Sequence, residues 1–197
     1  RHSEKVFVMK RLLLILILMF SFQTLSKADD IKDFEIEGMS IGDSLLDYFS
    51  KDEIEKDITH YKSNEFKTAN IKKAKIKYDF FRVSYKEGDQ NYLIHGISAI
   101  ILYKKDIDSC LKKIKEITEE ASTVFDNTKY NKSKWSPQFD VEGTINSYEF
   151  KLNKGTLSIA CLDYSIKMEN QKNKIDNLRI SLMTREYIDF LTYKAYK

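Results

Sequence analysis

Three strand-like segments in the last third of the chain are joined by turns too short for a parallel connection. Residues 147–152 alternate apolar with polar side chains, and Asn153-Lys154-Gly155 follows as a turn. Residues 156–168 return as a second strand, and residues 174–183 form a third after a polar turn. Strands joined by so few residues must be antiparallel. The pattern predicts a three-strand meander, with Gly155 supplying a positive φ in its first turn.

An earlier segment predicts another strand pair. Residues 75–86 are rich in Ile, Tyr, Phe and Val, Glu87-Gly88-Asp89 is the turn, and residues 91–103 are the partner strand. His95-Gly96 in its middle indicates a bulge or a close approach of another group to the backbone. Residues 59–74 and 127–139 are polar and are predicted to be connections without regular structure.

Helices are predicted between and around these strands. From Ile107 to Phe125 apolar residues recur at spacings of three and four, which is typical of a helix with one buried face. Asp106 or Asp108 can cap its first turn. Shorter helices are expected over residues 45–49 and 51–58 and after Thr184. The order predicts a two-layer α+β domain, with a mostly antiparallel sheet of about five strands covered by helices.

Residues 9–28 have the three parts of a secretory signal peptide. Met9-Lys10-Arg11 is basic, residues 12–22 are apolar, and Ser26-Lys27-Ala28 places small side chains before a cut ahead of Asp29. The apolar run is shorter than the roughly 20 residues that span a bilayer. We therefore expect export to the periplasm or beyond, with membrane contact only through the leader before cleavage. An uncleaved anchor or a buried helix is the alternative.

The rest of the domain organisation follows from this leader. Residues 1–8 precede the start Met9 and are expected to be an upstream extension, and residues 29–197 are expected to form a single domain.

The chain has 33 basic and 30 acidic residues, of which five and one lie in residues 1–28. The remaining 28 basic and 29 acidic residues give a net charge near −1. Such a balance gives no electrostatic reason to bind nucleic acid.

No motif for a cofactor or a metal stands out in the sequence. It contains neither a glycine-rich phosphate-binding loop nor a histidine or cysteine cluster with the spacing of metal ligands. We therefore expect no cofactor and no metal site.

The chain has two cysteines, Cys110 and Cys161. In an oxidising compartment two thiols allow one disulfide. Cys110 lies in the first turn of the long predicted helix and Cys161 lies within the meander, so a bridge would tie the helix layer to the sheet. Two buried free thiols are the alternative.

One short motif carries a possible chemistry. Gly42-Asp43-Ser44-Leu45 resembles the nucleophile block of the GDSL esterase and lipase family. The resemblance implies that Ser44 is a nucleophile and that a late Asp-x-x-His block supplies its base. The histidines beyond the leader are His60 and His95, and neither lies in such a block. A helix cap explains Asp43 and Ser44 as well, so Ser44 is a candidate catalytic residue while a non-enzymatic function is expected.

Aromatic residues of the first strand pair are candidate contacts for a ligand or a partner. Adjacent aromatics such as Phe80-Phe81 place apolar area on both faces of a sheet, and helices can cover only part of that area. The alternative is that both faces are buried. The candidate residues are Tyr78, Phe80, Tyr85, Tyr92 and His95.

As a whole, the chain resembles small exported proteins of AT-rich Gram-negative bacteria. The resemblance rests on the leader, on residues 34–49 (FEIEGMSIGDSLLDYF) and on the two-cysteine layout. It implies a periplasmic or envelope setting and no particular activity. We expect an exported, non-enzymatic module that binds an envelope protein or a small ligand. A small serine hydrolase using Ser44 and a self-associating structural component of the envelope are the alternatives.

Overall fold

The computed structural model describes residues 30–72, 77–125, 129–137 and 139–197, so the predicted leader lies outside the described residues. Four α-helices are described: α1 (Lys51–Glu55), α2 (Ile107–Val124), α3 (Ile166–Lys172) and α4 (Arg185–Tyr193). The strands are β1 (Glu35–Ile36), β2 (Met39–Ser40), β3 (Ile58–His60), β4 (Phe66–Ile71), β5 (Phe80–Lys86), β6 (Gly96–Leu102), β7 (Tyr130–Trp135), β8 (Thr144–Leu152), β9 (Gly155–Asp163) and β10 (Asn177–Thr184). Short 3₁₀ turns lie at Ile31–Asp33 and Leu45–Asp47.

Eight of these strands form one antiparallel sheet in the order β3-β4-β5-β6-β10-β9-β8-β7, and β1 and β2 form a separate two-stranded sheet. The predicted meander is β8, β9 and β10, and the predicted strand pair is β5 and β6. Because β10 also pairs with β6, the two groups join into one sheet. The α+β class and the antiparallel sheet are confirmed, whereas the prediction of about five strands is too low.

Three strands of the large sheet are missing from the prediction, and they lie in segments rich in polar residues. β3 and β4 lie in the segment predicted to be a loop, and β7 lies in the predicted polar connection. Every residue of β7 is exposed, so the alternation of apolar and polar side chains that marks a half-buried strand is absent there. In β4 the buried Thr68 takes an inward position with its hydroxyl hydrogen-bonded. Sequence periodicity detects neither arrangement.

The longer helices begin directly after residues whose side chains cap their first turn. Asp106 accepts a hydrogen bond from the backbone of Ser109 at the start of α2, and Thr184 accepts one from Tyr187 at the start of α4. The predicted helix over residues 45–49 is a 3₁₀ turn, and the one over residues 51–58 ends at Glu55. The predicted strand 156–168 ends at Asp163, because Ser165 caps α3.

One face of the sheet carries the main hydrophobic core. Helix α2 packs on β9 and β10 there, and the segment before α1 contributes Leu45 and Phe49 to the same core. Phe81 and Phe150 are among its fully buried side chains. The expected disulfide joins Cys110 of α2 to Cys161 of β9, with 6.1 Å between their Cα atoms. It ties the longest helix to the centre of the sheet.

Among the described residues, helix α4 covers the opposite face at the end next to β4. Helix α4 lays Tyr187 and Phe190 against Phe66 of β4. A Cβ at Gly96 would lie 2.7 Å from Cδ1 of Tyr187, so the ring rests directly on the backbone of β6. This is the close approach that His95-Gly96 indicated. Towards β7, β8 and β9 the same face stays open.

The first turn of the meander differs from its prediction. The positive φ lies at Lys154, at 65°, and Gly155 is not among the residues with positive φ. Glycine is needed at position 155 for space, because a Cβ there would collide with the backbone carbonyl of Met183 and with the side chain of Ile31. The turn is therefore held between β10 and the first described residues of the chain.

Candidate ligand-binding cavity

The open face of the sheet forms the floor of a cavity of about 640 Å³. Strands β4 to β10 supply the floor, Met168 of α3 and Leu191 of α4 line it from above, and Tyr196 lies at its rim with 70% of its surface exposed. The volume lies within the range of roughly 300–1,000 Å³ that is typical of small-molecule sites.

Two arginine side chains project from the sheet into the cavity. Arg82 lies in β5 and Arg179 lies in β10, and both line the cavity. Ser98 of β6 is opposite Arg82 on one side and opposite Ser181 on the other, so the arginines stand two strands apart and are offset by two residues. Because strand side chains alternate, Arg82 and Arg179 share the open face while their neighbours Val83 and Ile180 point into the core.

Neither guanidinium has a partner of opposite charge within the described residues. The Nε atoms of Arg82 and Arg179 are buried without a hydrogen bond. Among the described lining residues Glu149 is the one carboxylate, and it forms no ion pair with either of them. Burial lowers the pKa of Arg179, and the positive charge of Arg82 lowers it further. The cavity therefore holds two guanidinium groups that no described carboxylate neutralises, and the exposed Lys174 adds a third cation to its lining.

Hydroxyl groups surround the two arginines. Ser98 and Ser181 are hydrogen-bonded at 2.8 Å between their Oγ atoms, and Thr68 and Ser84 at 2.7 Å. Each hydroxyl has one proton, so the Ser98–Ser181 pair, which shares one hydrogen bond, retains one donor for a further acceptor. Thr68 is also bonded to Tyr61 and Tyr187, and that cluster uses its protons internally. The floor of the cavity therefore offers both guanidinium and hydroxyl donors.

The end of the cavity next to β7 is apolar. Trp135 of β7 is opposite Ile145 of β8, and Ile145 is opposite Leu162 of β9, so the three side chains form a row across the sheet. Phe139 and Met168 line the cavity beside that row. Trp135 is 51% exposed and Phe139 is 63% exposed. The cavity thus joins a cationic centre to an apolar end.

Ser44 lies outside this cavity and caps the Leu45–Asp47 turn. Its Oγ accepts a hydrogen bond from the backbone N–H of Leu46 at 3.2 Å and donates one to the carbonyl of Asn91 at 2.7 Å. No histidine, lysine or carboxylate is hydrogen-bonded to it in the part of the chain that the structure describes. The geometry is that of a helix cap.

The aromatic residues predicted as a ligand or partner surface lie mostly against the main core. Tyr85 and Tyr92 are buried in the main core, with 4.9 Å between their ring centroids. Tyr78 packs on Phe81 on the same side. Phe80 is half-buried on the opposite face. Within β5, alternation turns Tyr85 into the core and Phe80 to the opposite face, whereas Tyr78 and Tyr92 lie outside the strands and pack on the core from the flanking segments.

His95 lies beside the part of the open face that α4 covers. Its ring contacts Phe66, and its Nδ1 is 3.6 Å from Oε2 of Glu186, which is too long for a hydrogen bond. Burial lowers the pKa of His95, while the charge of Glu186 acts in the opposite direction. The imidazole is not part of the cavity lining.

Arg82, Arg179 and Trp135 were not predicted from the sequence as site residues. A signal was present, since Arg82-Val83-Ser84 and Arg179-Ile180-Ser181 repeat one pattern within two strand segments. Arginine is also scarce, because five of the 33 basic residues are arginines and three of those lie beyond residue 29. Two scarce cations within apolar strands mark a position where a fixed, planar donor is needed.

The described residues form neither a metal site nor a membrane-spanning helix. Within the described ranges no group of three or more histidine, cysteine, aspartate or glutamate side chains is arranged to hold a metal ion. Among the described helices none combines the length and apolar character of a membrane span.

No protein-family model, no curated protein and no solved structure matches the chain.

Proposed function

We propose that this chain is an exported, non-enzymatic binding protein that holds a small anionic ligand between Arg82 and Arg179. The observation that carries the proposal is the pair of guanidinium groups with buried, unpartnered Nε atoms in one cavity. Carboxylates and phosphates accept paired hydrogen bonds from guanidinium, and such charge-assisted bonds are stronger than neutral ones. A bound carboxylate would offset one of the two charges, a phosphate dianion would offset both, and either would accept hydrogen bonds from the unpartnered donors.

The hydroxyl groups support a binding role over a catalytic one. Thr68 is hydrogen-bonded to both Ser84 and Tyr187, and Ser98 is hydrogen-bonded to Ser181. Activation of a serine or threonine as a nucleophile requires a base that takes its proton. In the described part of the cavity these hydroxyls bond to other hydroxyls instead, so they serve as fixed donors and acceptors.

The test is calorimetric titration of the purified protein with octanoate and with inorganic phosphate. Trp135 is the sole tryptophan of the chain and lines the cavity, so its emission gives an independent readout. We expect saturable binding of at least one anion, weakened tenfold or more by Arg82→Gln and by Arg179→Gln, since a hydrogen bond to a charged group contributes about 1.5–3 kcal/mol. Arg185→Gln, which changes an exposed arginine outside the cavity, is the matched control. Binding that all three variants retain would overturn the proposal.

The location of the protein is part of the same proposal. The leader pattern over residues 9–28 supports export, and the Cys110–Cys161 bridge is a form that oxidising compartments maintain. Mass spectrometry of the protein from a periplasmic extract tests both points. We expect a chain that starts at Asp29 and whose two cysteines are alkylated only after reduction. An intact leader, or thiols that react without reduction, would refute export to an oxidising compartment.

A further inference from the structure

The cavity has two chemically different regions, and a ligand that fills it has to match both. Arg82 and Arg179 stand in the middle of the floor, with Ser158 and Ser181 on the strands beside them. The row of Trp135, Ile145 and Leu162 begins one step farther along the strands, because Ala160 is opposite Arg179 and Leu162 follows it on the same face. Along the strand direction, Leu162 is therefore about one side-chain repeat, roughly 7 Å, from the level of Arg179, and about two repeats from the level of Arg82.

The apolar region continues beyond the cavity to the surface. Val141 and Ile166 are each 75% exposed. The carboxylate of Asp140 accepts a hydrogen bond from the backbone of Ser165 at 2.9 Å, which brings the segments of Val141 and Ile166 together. Val141 and Ile166 do not line the cavity, whereas the exposed Phe139 and Trp135 do, and these two form its apolar mouth at the end next to β7. Grouped exposed apolar side chains of this kind are typical of binding sites.

We infer that the ligand is a single-chain amphiphile whose anionic head binds Arg82 and Arg179 and whose apolar chain lies along Trp135, Ile145 and Leu162 towards the mouth. This inference rests on the proposed function and adds the ligand class to it. The charges of the two guanidinium groups indicate that the ligand has an anionic head, because an uncharged molecule would leave them unneutralised. The adjoining apolar row accounts for the chain, because a small inorganic anion would leave that end of the cavity in contact with water.

A chain-length series tests the inference. Acetate, hexanoate, octanoate and decanoate share one head and differ in apolar length, and 1-octanol has the chain of octanoate without the charge. We expect affinity to rise by up to about fourfold for each methylene that enters the apolar end, which corresponds to about 0.8 kcal/mol of apolar burial. We expect 1-octanol to bind at least tenfold more weakly than octanoate. A shift of Trp135 emission to shorter wavelength should accompany chain binding but not acetate binding.

Two variants of the apolar end separate head from chain. Ile145→Thr keeps a β-branched residue in β8, and Met168→Gln keeps an unbranched one in α3. Each should weaken decanoate several-fold and leave acetate unchanged. Val124→Thr, on the exposed end of α2, is the control and should change neither. Lysophosphatidylglycerol carries a larger anionic head on a similar chain, so its affinity relative to decanoate identifies the source of the ligand as a membrane lipid or a free fatty acid.

The outcomes separate the two proposals. If no anion of any length binds in a manner that depends on Arg82 and Arg179, the proposed function fails and the inference fails with it. If acetate or phosphate binds as tightly as decanoate, or if Ile145→Thr and Met168→Gln leave chain binding intact, the site binds anions but the inferred amphiphile is wrong.

Discussion

At the residue scale, Gly96 allows the ring of Tyr187 to rest on the sheet. A Cβ at this position would lie 2.7 and 2.8 Å from two ring carbons. Gly96→Ala should therefore lower the free energy of unfolding by about 1–3 kcal/mol, as overpacking does, measured by urea denaturation. In a Tyr187→Ala background the added cost should disappear.

Gly88→Ala is the control for that experiment. Gly88 has φ +78°, and a Cβ added to it would meet no atom within 4 Å, so alanine there is strained without a collision. We expect a cost of about 1 kcal/mol from the backbone alone, unchanged by Tyr187→Ala. Equal coupling of both glycine substitutions to Tyr187 would contradict the contact that we describe.

Tyr92 makes stability depend on pH in the alkaline range. Its hydroxyl donates a hydrogen bond to Glu55, and this bond, with burial, raises the pKa of Tyr92 from 10.0 to about 12. The unfolded chain releases this proton near pH 10 while the folded chain keeps it. The stabilisation is therefore complete below pH 10 and is lost as the pH rises towards 12.

Tyr92→Phe tests this dependence. The variant should be less stable than the parent at pH 8, and the difference should shrink between pH 10 and pH 12, as measured by urea denaturation at fixed ionic strength. Tyr193→Phe changes an exposed tyrosine and should show neither effect. A constant difference across this range would mean that the hydrogen bond to Glu55 does not control the titration.

At the scale of the elements, the disulfide determines how firmly α2 is held on β9. Cys110 and Cys161 are 51 residues apart in sequence, which corresponds to about 4 kcal/mol in the chain-entropy treatment of loop closure. The Cys110→Ala/Cys161→Ala variant should lose up to this amount in urea denaturation and still fold, because Ile114 and Phe125 keep the helix in the core. Octanoate affinity should stay unchanged, since the bridge lies on the face of the sheet opposite the cavity.

Helices and strands could be predicted from the sequence where one of their faces is apolar and buried. Helix α2 shows its apolar face at spacings of three and four, and its observed bounds lie within two residues of those predicted. Strand β7 lies at the sheet edge with all six residues exposed, and its hydrogen bonds to β8 hold it in place without an apolar pattern. In β4 the contacts of Thr68 are with Tyr61, Ser84 and Tyr187, which are distant in sequence. Such strands depend on tertiary partners that local periodicity does not reveal.

The cavity was less predictable than the fold for the same reason. Arg82 and Arg179 are 97 positions apart and meet only because β10 pairs with β6, a pairing between strands that are not consecutive. The sequence contained the repeated Arg-x-Ser pattern but not the strand order that brings its two copies together. The register of β5 turns Tyr85 inwards, where its ring packs against Tyr92, and register depends on pairing and burial across the fold rather than on the local pattern.

At the scale of the whole molecule, the two faces of the sheet have different roles. One face holds the main core and the disulfide. The other holds two unneutralised guanidinium groups, a cluster of hydroxyls and exposed aromatic side chains. Buried like charges oppose folding when nothing neutralises them. If these residues bind an anion, as we propose, they do so at a cost in stability, which is common at functional sites.

Because one face of the sheet carries these guanidinium groups, we predict that removing one of the two charges stabilises the protein in the absence of ligand. Arg179→Met keeps an unbranched side chain and removes its charge, so we expect the free energy of unfolding to rise by about 1 kcal/mol at low ionic strength. Arg185→Gln, on the surface, should stay within about 0.5 kcal/mol of the parent. With octanoate at 100 times its dissociation constant the parent should gain about 2.7 kcal/mol, and Arg179→Met should gain little. If Arg179→Met is instead destabilised with and without octanoate, the guanidinium is a structural group, and the cavity is not held open for an anion.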